Sequence, residues 1–340
     1  MKLFKFVTIS LFASSLLLAS TDVQSKAKNA GLEAIPTDKA ALMKLIDPNN
    51  TISDEKVALG KQLYFEPRLS KSGIISCNTC HNLGLGGVDG VPAAVGHNWT
   101  ANPHHLNSPT VYNAVFFAAQ FWDGRSPDLE DQAQGPMQAA PEMAAAPSLV
   151  VERINSIPAY VESFEKAYGK DVKVDFKTIT ATIGIFERTL VTPSRYDAFL
   201  NGNKEALTDA EKEGLNLFID KGCTSCHTGI ALGGTMQPFP AVGKYTYANI
   251  GDFKGDKNGM VKTPTLRNIT ETAPYFHNGA IWSLKEAVQE MGRTQLGADI
   301  SDADAAKIVT FFGALKGKKP EITYPQFPES TEKTAKPDFN

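Results

Sequence analysis

Cys77-Asn78-Thr79-Cys80-His81 and Cys223-Thr224-Ser225-Cys226-His227 decide the reading of this chain. Each is a C-x-x-C-H unit, the attachment pattern of c-type haem. Two thiols three residues apart lie on one side of a helical turn and add to the two vinyl groups of one porphyrin. The histidine that follows is set against the iron as proximal ligand. Cys77, Cys80, Cys223 and Cys226 are all four cysteines of the chain, so no structural disulfide is available. A zinc site made from both pairs needs no histidine after each second cysteine, and a thioredoxin-like site needs only one pair. The units therefore predict two covalently bound c-type haems, with His81 and His227 on their irons.

Working outward, the segments before the two units repeat in form. Ser53-Asp54-Glu55 leads into Leu59-Gly60-Lys61-Gln62-Leu63-Tyr64-Phe65, and Thr208-Asp209-Ala210-Glu211 leads into Gly214-Leu215-Asn216-Leu217-Phe218. Thr208 and Glu211 have capping-box spacing, and Asp54 and Glu55 suit a helix start. Apolar residues recur at helical intervals in both. A helix entering a C-x-x-C-H turn twice predicts a mostly α chain of two cytochrome-c-like domains, each with one haem, with long loops between helices. Further helices are expected over 149–168, 176–190, 283–291 and 303–315, and no strand-rich region is evident. The stretches 83–110 and 229–265, rich in Gly, Pro and Asn, are long enough to wrap a cofactor. Val191-Thr192-Pro193-Ser194 reads as a linker. The division expected is a signal peptide over 1–20, a first haem domain over 21–192 and a second over 193–320. Residues 321–340 form an extended tail, lying over a domain surface or loose.

Lys2 and Lys5 precede an apolar run, Phe6 to Ala19, that is short for a membrane span. This is the pattern of a secretory signal, with cleavage near Ser20. No later segment is apolar enough to cross a membrane, so the mature chain is expected to be soluble. Export suits c-type haem attachment, which takes place outside the bacterial inner membrane, and points to the periplasm. The formal charge of −3 becomes about −5 without Lys2 and Lys5. A mildly acidic chain is not a nucleic-acid binder, while local patches still allow a protein partner.

The occupant of each iron's sixth position decides between electron transfer and reaction with a small molecule. Apart from His81 and His227, the histidines are His97, His104, His105 and His277. For the second haem Met236, Met260 and Met291 compete. Met291 ends a helix capped by Ser283 and Glu286, and the other two lie in loops.

The ordered motifs resemble the bacterial dihaem cytochrome c peroxidase family. The resemblance is carried by Cys77–His81, His97, Asn107-Ser108-Pro109-Thr110, Phe121-Trp122-Asp123-Gly124-Arg125, Gln132, Gly135-Pro136-Met137 and Glu142-Met143. In the second half it is carried by Cys223–His227, Lys262-Thr263-Pro264-Thr265-Leu266-Arg267-Asn268, Ala273-Pro274-Tyr275-Phe276-His277-Asn278-Gly279 and Met291-Gly292-Arg293. It spans roughly residues 40 to 325. It implies that H2O2 is reduced to water at a low-potential haem held by His81. The electrons come from a small periplasmic cytochrome c or a copper protein. His97 resembles the distal ligand that blocks this iron in the oxidised enzyme and withdraws on reduction, with the glycines of 84–96 as hinge. His104 and His105 read as surface or haem-edge residues. Glu142 resembles the catalytic carboxylate, with Gln132 as its partner. The second haem, with His227 and Met291 as axial ligands, is implied as the high-potential electron entry. Trp122 resembles the aromatic residue between the haems, and His277 lies beside the second haem without ligating it. A calcium ion is implied between the domains, held by Asn107 through its side chain and by Thr272 and Pro274 through their carbonyls. A homodimer is a further implication. Two alternatives remain: a dihaem electron carrier without peroxidase activity, and a relative that oxidises a protein side chain, as in maturation of tryptophan tryptophylquinone. The latter branch has tyrosine in place of Met291 and lacks a displaceable distal histidine, so Met291 and His97 favour the peroxidase.

Overall fold

The computed structural model describes residues 22–340. The signal peptide expected over 1–20 lies outside the described residues. The helices of the first half are α1 (Val23–Asn29), α2 (Lys39–Ile46), α3 (Asp54–Phe65), α4 (Cys77–Cys80), α5 (Leu129–Gln132), α6 (Gln134–Gln138), α7 (Pro147–Asn155), α8 (Pro158–Tyr168) and α9 (Phe176–Arg188). Those of the second are α10 (Arg195–Leu200), α11 (Asp209–Asp220), α12 (Leu284–Met291) and α13 (Asp302–Phe312). Two short strands, β1 (Met236–Pro238) and β2 (Met260–Lys262), pair antiparallel with Met236 opposite Lys262.

Each half is closed by one helix pair. In the first, α3 packs on α9, burying Leu63, Tyr64 and Phe186 together with Tyr160 and Phe164 of α8. In the second, α11 packs on α13, burying Leu215 and Phe218 against Ile308 and Phe311. A glycine sets the approach in both pairs. A Cβ at Gly60 would lie 2.2 Å from the Thr182 carbonyl oxygen, and one at Gly214 would lie 2.1 Å from that of Lys307. Caps define the helix starts: the Ser53 hydroxyl accepts from Lys56 N–H at 3.3 Å, and Thr208 accepts from Glu211 N–H at 3.3 Å. Such caps stabilise by about 1 kcal/mol each.

Two sequence expectations change and two are made definite. The helix expected over 149–168 is two, α7 and α8, because Pro158 lacks an N–H and holds Ile157 extended. Residues 22–32, assigned to the first domain, place Ala27 and Leu32 in the second core. The tail after 320 is anchored. The Arg153 guanidinium, 1 % exposed, donates to the carbonyls of Ala335 (3.2 Å) and Lys336 (2.8 Å) as well as to those of Arg68, Ser70 and Lys71. Within the linker Thr192 is fully buried. Its hydroxyl oxygen accepts from the Asn113 amide at 2.7 Å and the Asn268 amide at 2.9 Å. One asparagine from each half thus grips the crossover.

Candidate active site

The two grips belong to a second repeat. Ser108-Pro109-Thr110-Val111-Tyr112-Asn113 and Thr263-Pro264-Thr265-Leu266-Arg267-Asn268 fold alike. Thr110 donates its hydroxyl to the Gly86 carbonyl at 2.7 Å and Thr265 to that of Ala231 at 2.6 Å. Asn113 and Asn268 both sit left-handed, at φ 62° and 60°. Each turn lies behind a proximal histidine. His81 Nδ1–H donates to the Pro109 carbonyl at 2.9 Å, and His227 Nδ1–H donates to that of Leu232 at 3.1 Å. A carbonyl only accepts, so Nδ1 carries the proton and Nε2 is left with its lone pair for a metal. Burial holds both rings neutral, lowering the His81 pKa and pushing that of His227 down to about 4.

Each histidine opens on a cavity. The first, about 970 Å³, is lined by Cys80, His81, Trp122, Gln132, Glu142 and Lys262, among others. The second, about 1010 Å³, is lined by Cys223, Cys226, His227 and Met291 within walls that include Leu266, Phe276 and Phe312. Met236 and Met260 are absent from the second lining, and Met236 packs its thioether onto the turn at Gly124. Burial also raises the thiols, Cys80 to about 12 and Cys223 to about 11, by desolvation of the thiolate. The residues present therefore fit two thioether-linked haems, each with a neutral imidazole on the iron.

His97 does not line the first cavity, although its neighbour Gly96 does. Both ring nitrogens of His97 are buried without a hydrogen-bond partner. Its backbone N–H donates to the Glu142 carbonyl at 2.7 Å, and a Cβ at Gly96 would lie 2.6 Å from Glu142 Cα. The histidine loop and the Glu142 backbone are thus packed as one unit. Burial raises the pKa of the Glu142 carboxyl, with the Arg125 charge opposing. His104 pairs with Asp252 at the surface, at 3.0 Å, and His105 Nδ1 lies 3.2 Å from the Asn278 carbonyl.

Between the cavities Trp122 donates its indole N–H to the Asn107 carbonyl at 2.9 Å and meets His277 edge-on, with ring centroids 6.4 Å apart. His277 is enclosed by Phe239, Tyr245 and Phe253, and burial pushes its pKa down to about 4. It lines neither cavity. Trp122 and His277 occupy equivalent places in matching turns, Phe121–Gly124 and Phe276–Gly279, whose first residues have φ 67° and 70°. Asn107 N–H donates to the His277 carbonyl at 2.8 Å and its amide to that of Val91 at 2.8 Å. Among the described residues no three His, Cys, Asp or Glu side chains gather to hold a metal ion. The expected calcium donors, Asn107, Thr272 and Pro274, are amide and carbonyl oxygens instead.

Sequence reasoning missed Lys262 and Glu187. Lys262, 4 % exposed, borders both cavities, and its ammonium lies 4.6 Å from the Phe117 ring centroid. Burial pushes its pKa down to about 7. Glu187, on α9, also lines the first cavity. Nothing local distinguishes either from a solvated charge. The signal that was available was the second repeat, which places Lys262 at the position of Asn107.

Known proteins agree with this arrangement. Residues 54–205 match the family model described as di-haem cytochrome c peroxidase, and residues 211–316 match that of cytochrome c. The cytochrome c551 peroxidase of Pseudomonas aeruginosa is 46% identical over 91% of this chain and 94% of its own. The chain belongs to the di-haem cytochrome c peroxidase family. The cytochrome c551 peroxidase of Nitrosomonas europaea is 41% identical over 96% of both chains. A solved MauG-like protein associated with microbial copper homeostasis superposes with a TM-score of 0.69 at 26% identity, over 80% of this chain and 92% of its own. This peroxidase is an oxidoreductase of two cytochrome-c-like domains that carries two haems. No described helix is long and apolar enough to cross a membrane.

Proposed function

We propose that the peroxidase reduces H2O2 in the first cavity, H2O2 + 2e⁻ + 2H⁺ → 2H2O, with electrons entering through the second. The observation that carries the assignment is that Glu142 and Gln132, an acid and an amide, share one cavity with His81. The haems, when bound, supply an iron for the peroxide oxygen and the path for two electrons. The rest is work for side chains. Glu142 takes a proton from the inner peroxide oxygen and returns it to the departing one. Gln132 orients the peroxide by hydrogen bonds. His97 would hold the first haem's iron in the oxidised protein and would be the group to withdraw, and its backbone tie to Glu142 would couple that withdrawal to placement of the carboxylate. Met291, which lines the second cavity with His227, would hold the second haem's iron and would favour the reduced state at the entry site. Trp122 shortens the gap between the cavities, and His277 buttresses it.

The donor is a small cytochrome c or copper protein, and the setting is the periplasm. Asn107, Thr272 and Pro274 hold a calcium ion that stiffens the loop joining the halves, and the protein acts as a homodimer. Stopped-flow mixing of H2O2 with oxidised and half-reduced holoprotein tests the scheme. Rapid consumption by the half-reduced form supports it. A protein inert at every redox poise is an electron carrier instead.

A further inference from the structure

Glutamate 187 is 5 % exposed, lines the first cavity, and has a buried Oε2 without a partner. Glu130 of α5 also has a buried, unpartnered Oε2, while its Oε1 pairs with Arg188. The two acids are neighbours because α9 lies directly on α5. A Cβ at Gly184 would come within 2.9 Å of Glu130 Cγ. Glu187 and Arg188, three and four residues on, share the face of α9 that carries Gly184. Arg188 continues outward to Thr51 Oγ1 at 3.3 Å and Asp47 at 3.6 Å.

A carboxyl kept only for structure would have its oxygens bonded. Glu187 faces the cavity, and Glu130 lies close enough for its charge to act on Glu187. Burial, with the Glu130 charge added, raises the Glu187 pKa to about 8, so Glu187 carries a proton at neutral pH. The other titratable group facing it, Tyr64 of α3, is raised still further by burial and holds its proton tightly, and Cys77 of α4 has no thiol proton once it is bonded to the haem. Glu130 is raised by burial and pulled back down by Arg188, which leaves it as the group able to resupply Glu187.

Glu142 alone does not meet the proton demand. It moves a proton from one peroxide oxygen to the other, a net transfer of none, while the reaction takes two from solvent. We propose that Glu130 and Glu187 form a proton relay from the protein surface to the first cavity, delivering the two protons consumed with each peroxide. In each delivery the Glu187 O–H bond breaks and its proton passes, through water in the cavity, to an oxygen leaving as water. Glu130, protonated from solvent, then re-forms that O–H bond. Both carboxyls end unchanged, and the electrons come from the donor. The relay rests on the peroxidase reading of the cavity.

The test compares wild-type holoprotein with Glu187→Gln, Glu130→Gln, the double variant and Glu142→Ala. Glutamine keeps size and hydrogen bonding, and intact haem spectra verify folding. Turnover of Glu187→Gln is expected to fall about 10²-fold with a larger solvent isotope effect. The double variant should lose no more than Glu187→Gln, since the groups act in series. Wild-type turnover should decline as pH rises through about 8, where Glu187 deprotonates, and Glu187→Gln should lack that limb. Independently of activity, infrared spectra should show a protonated carboxylic acid band in the wild type that is absent from Glu187→Gln. Wild-type rate and isotope effect in Glu187→Gln, beside a crippled Glu142→Ala, would overturn the relay alone. A wild type inert toward peroxide would overturn the peroxidase reading as well.

Discussion

The two halves solve the same packing problem with the same parts. Each has a capped helix closing on a partner through a glycine, then a C-x-x-C-H turn. Each then has a Pro-Thr turn behind the proximal histidine and an asparagine holding Thr192. They differ in what faces the iron position. The first cavity has polar groups in its wall: Gln132, Glu142, Arg125 and Glu187. In the second the sixth-ligand candidate is a thioether among largely apolar side chains. A common scaffold therefore serves two chemistries. Desolvated carboxyls and an amide suit proton movement on a small oxidant, whereas an enclosed thioether suits exchange of electrons without bond making.

The comparison breaks first at Glu142. Glu142→Ala should lower peroxide turnover by about 10²–10⁴-fold, with both haems retained and the second haem's potential unmoved. Steady-state kinetics beside spectroelectrochemistry check both parts, and an unchanged rate removes the acid–base assignment. Met291→His should lower the potential of the second haem and, with it, donor-driven turnover, while the directly reduced protein still consumes peroxide. Lys262 sharpens the comparison because it belongs to both halves. Lys262→Met removes a buried amine whose protonated form favours added electrons, so below about pH 7 both potentials should fall together; movement of only one would show that the lysine serves a single site.

Smaller effects test the scaffold and the acid. Asn113→Ala and Asn268→Ala each strip Thr192 of a buried hydrogen bond and should destabilise by about 2 kcal/mol in thermal unfolding. The double variant should cost less than the sum, because both amides act on one hydroxyl. In the proposed mechanism Glu142 acts as carboxylate, and burial raises its pKa, so turnover should fall as pH drops through a value above the ordinary glutamate range. Arg125 opposes that shift, so Arg125→Gln should move this acid limb to higher pH.

Much of this was legible along the chain. Haem attachment at Cys77, Cys80, Cys223 and Cys226 follows from residues within one turn of each other, whose spacing is their chemistry. The α3 and α11 starts were readable from Ser53, Thr208 and Glu211, since a cap is a contact over three residues. The resemblance pointed to Glu142, Gln132 and Met291. What tertiary structure alone decided were the groups defined by distant partners. Thr192 read only as part of a linker, and the closing of two asparagines from opposite halves on it is set by tertiary structure. Lys262 stood in a motif without a role of its own and Glu187 drew no reading, since only the packing of β2 and α9 against the cavities removes their water. Local spacing sets which bonds a side chain is able to make, but desolvation and proximity are set by residues far away in sequence.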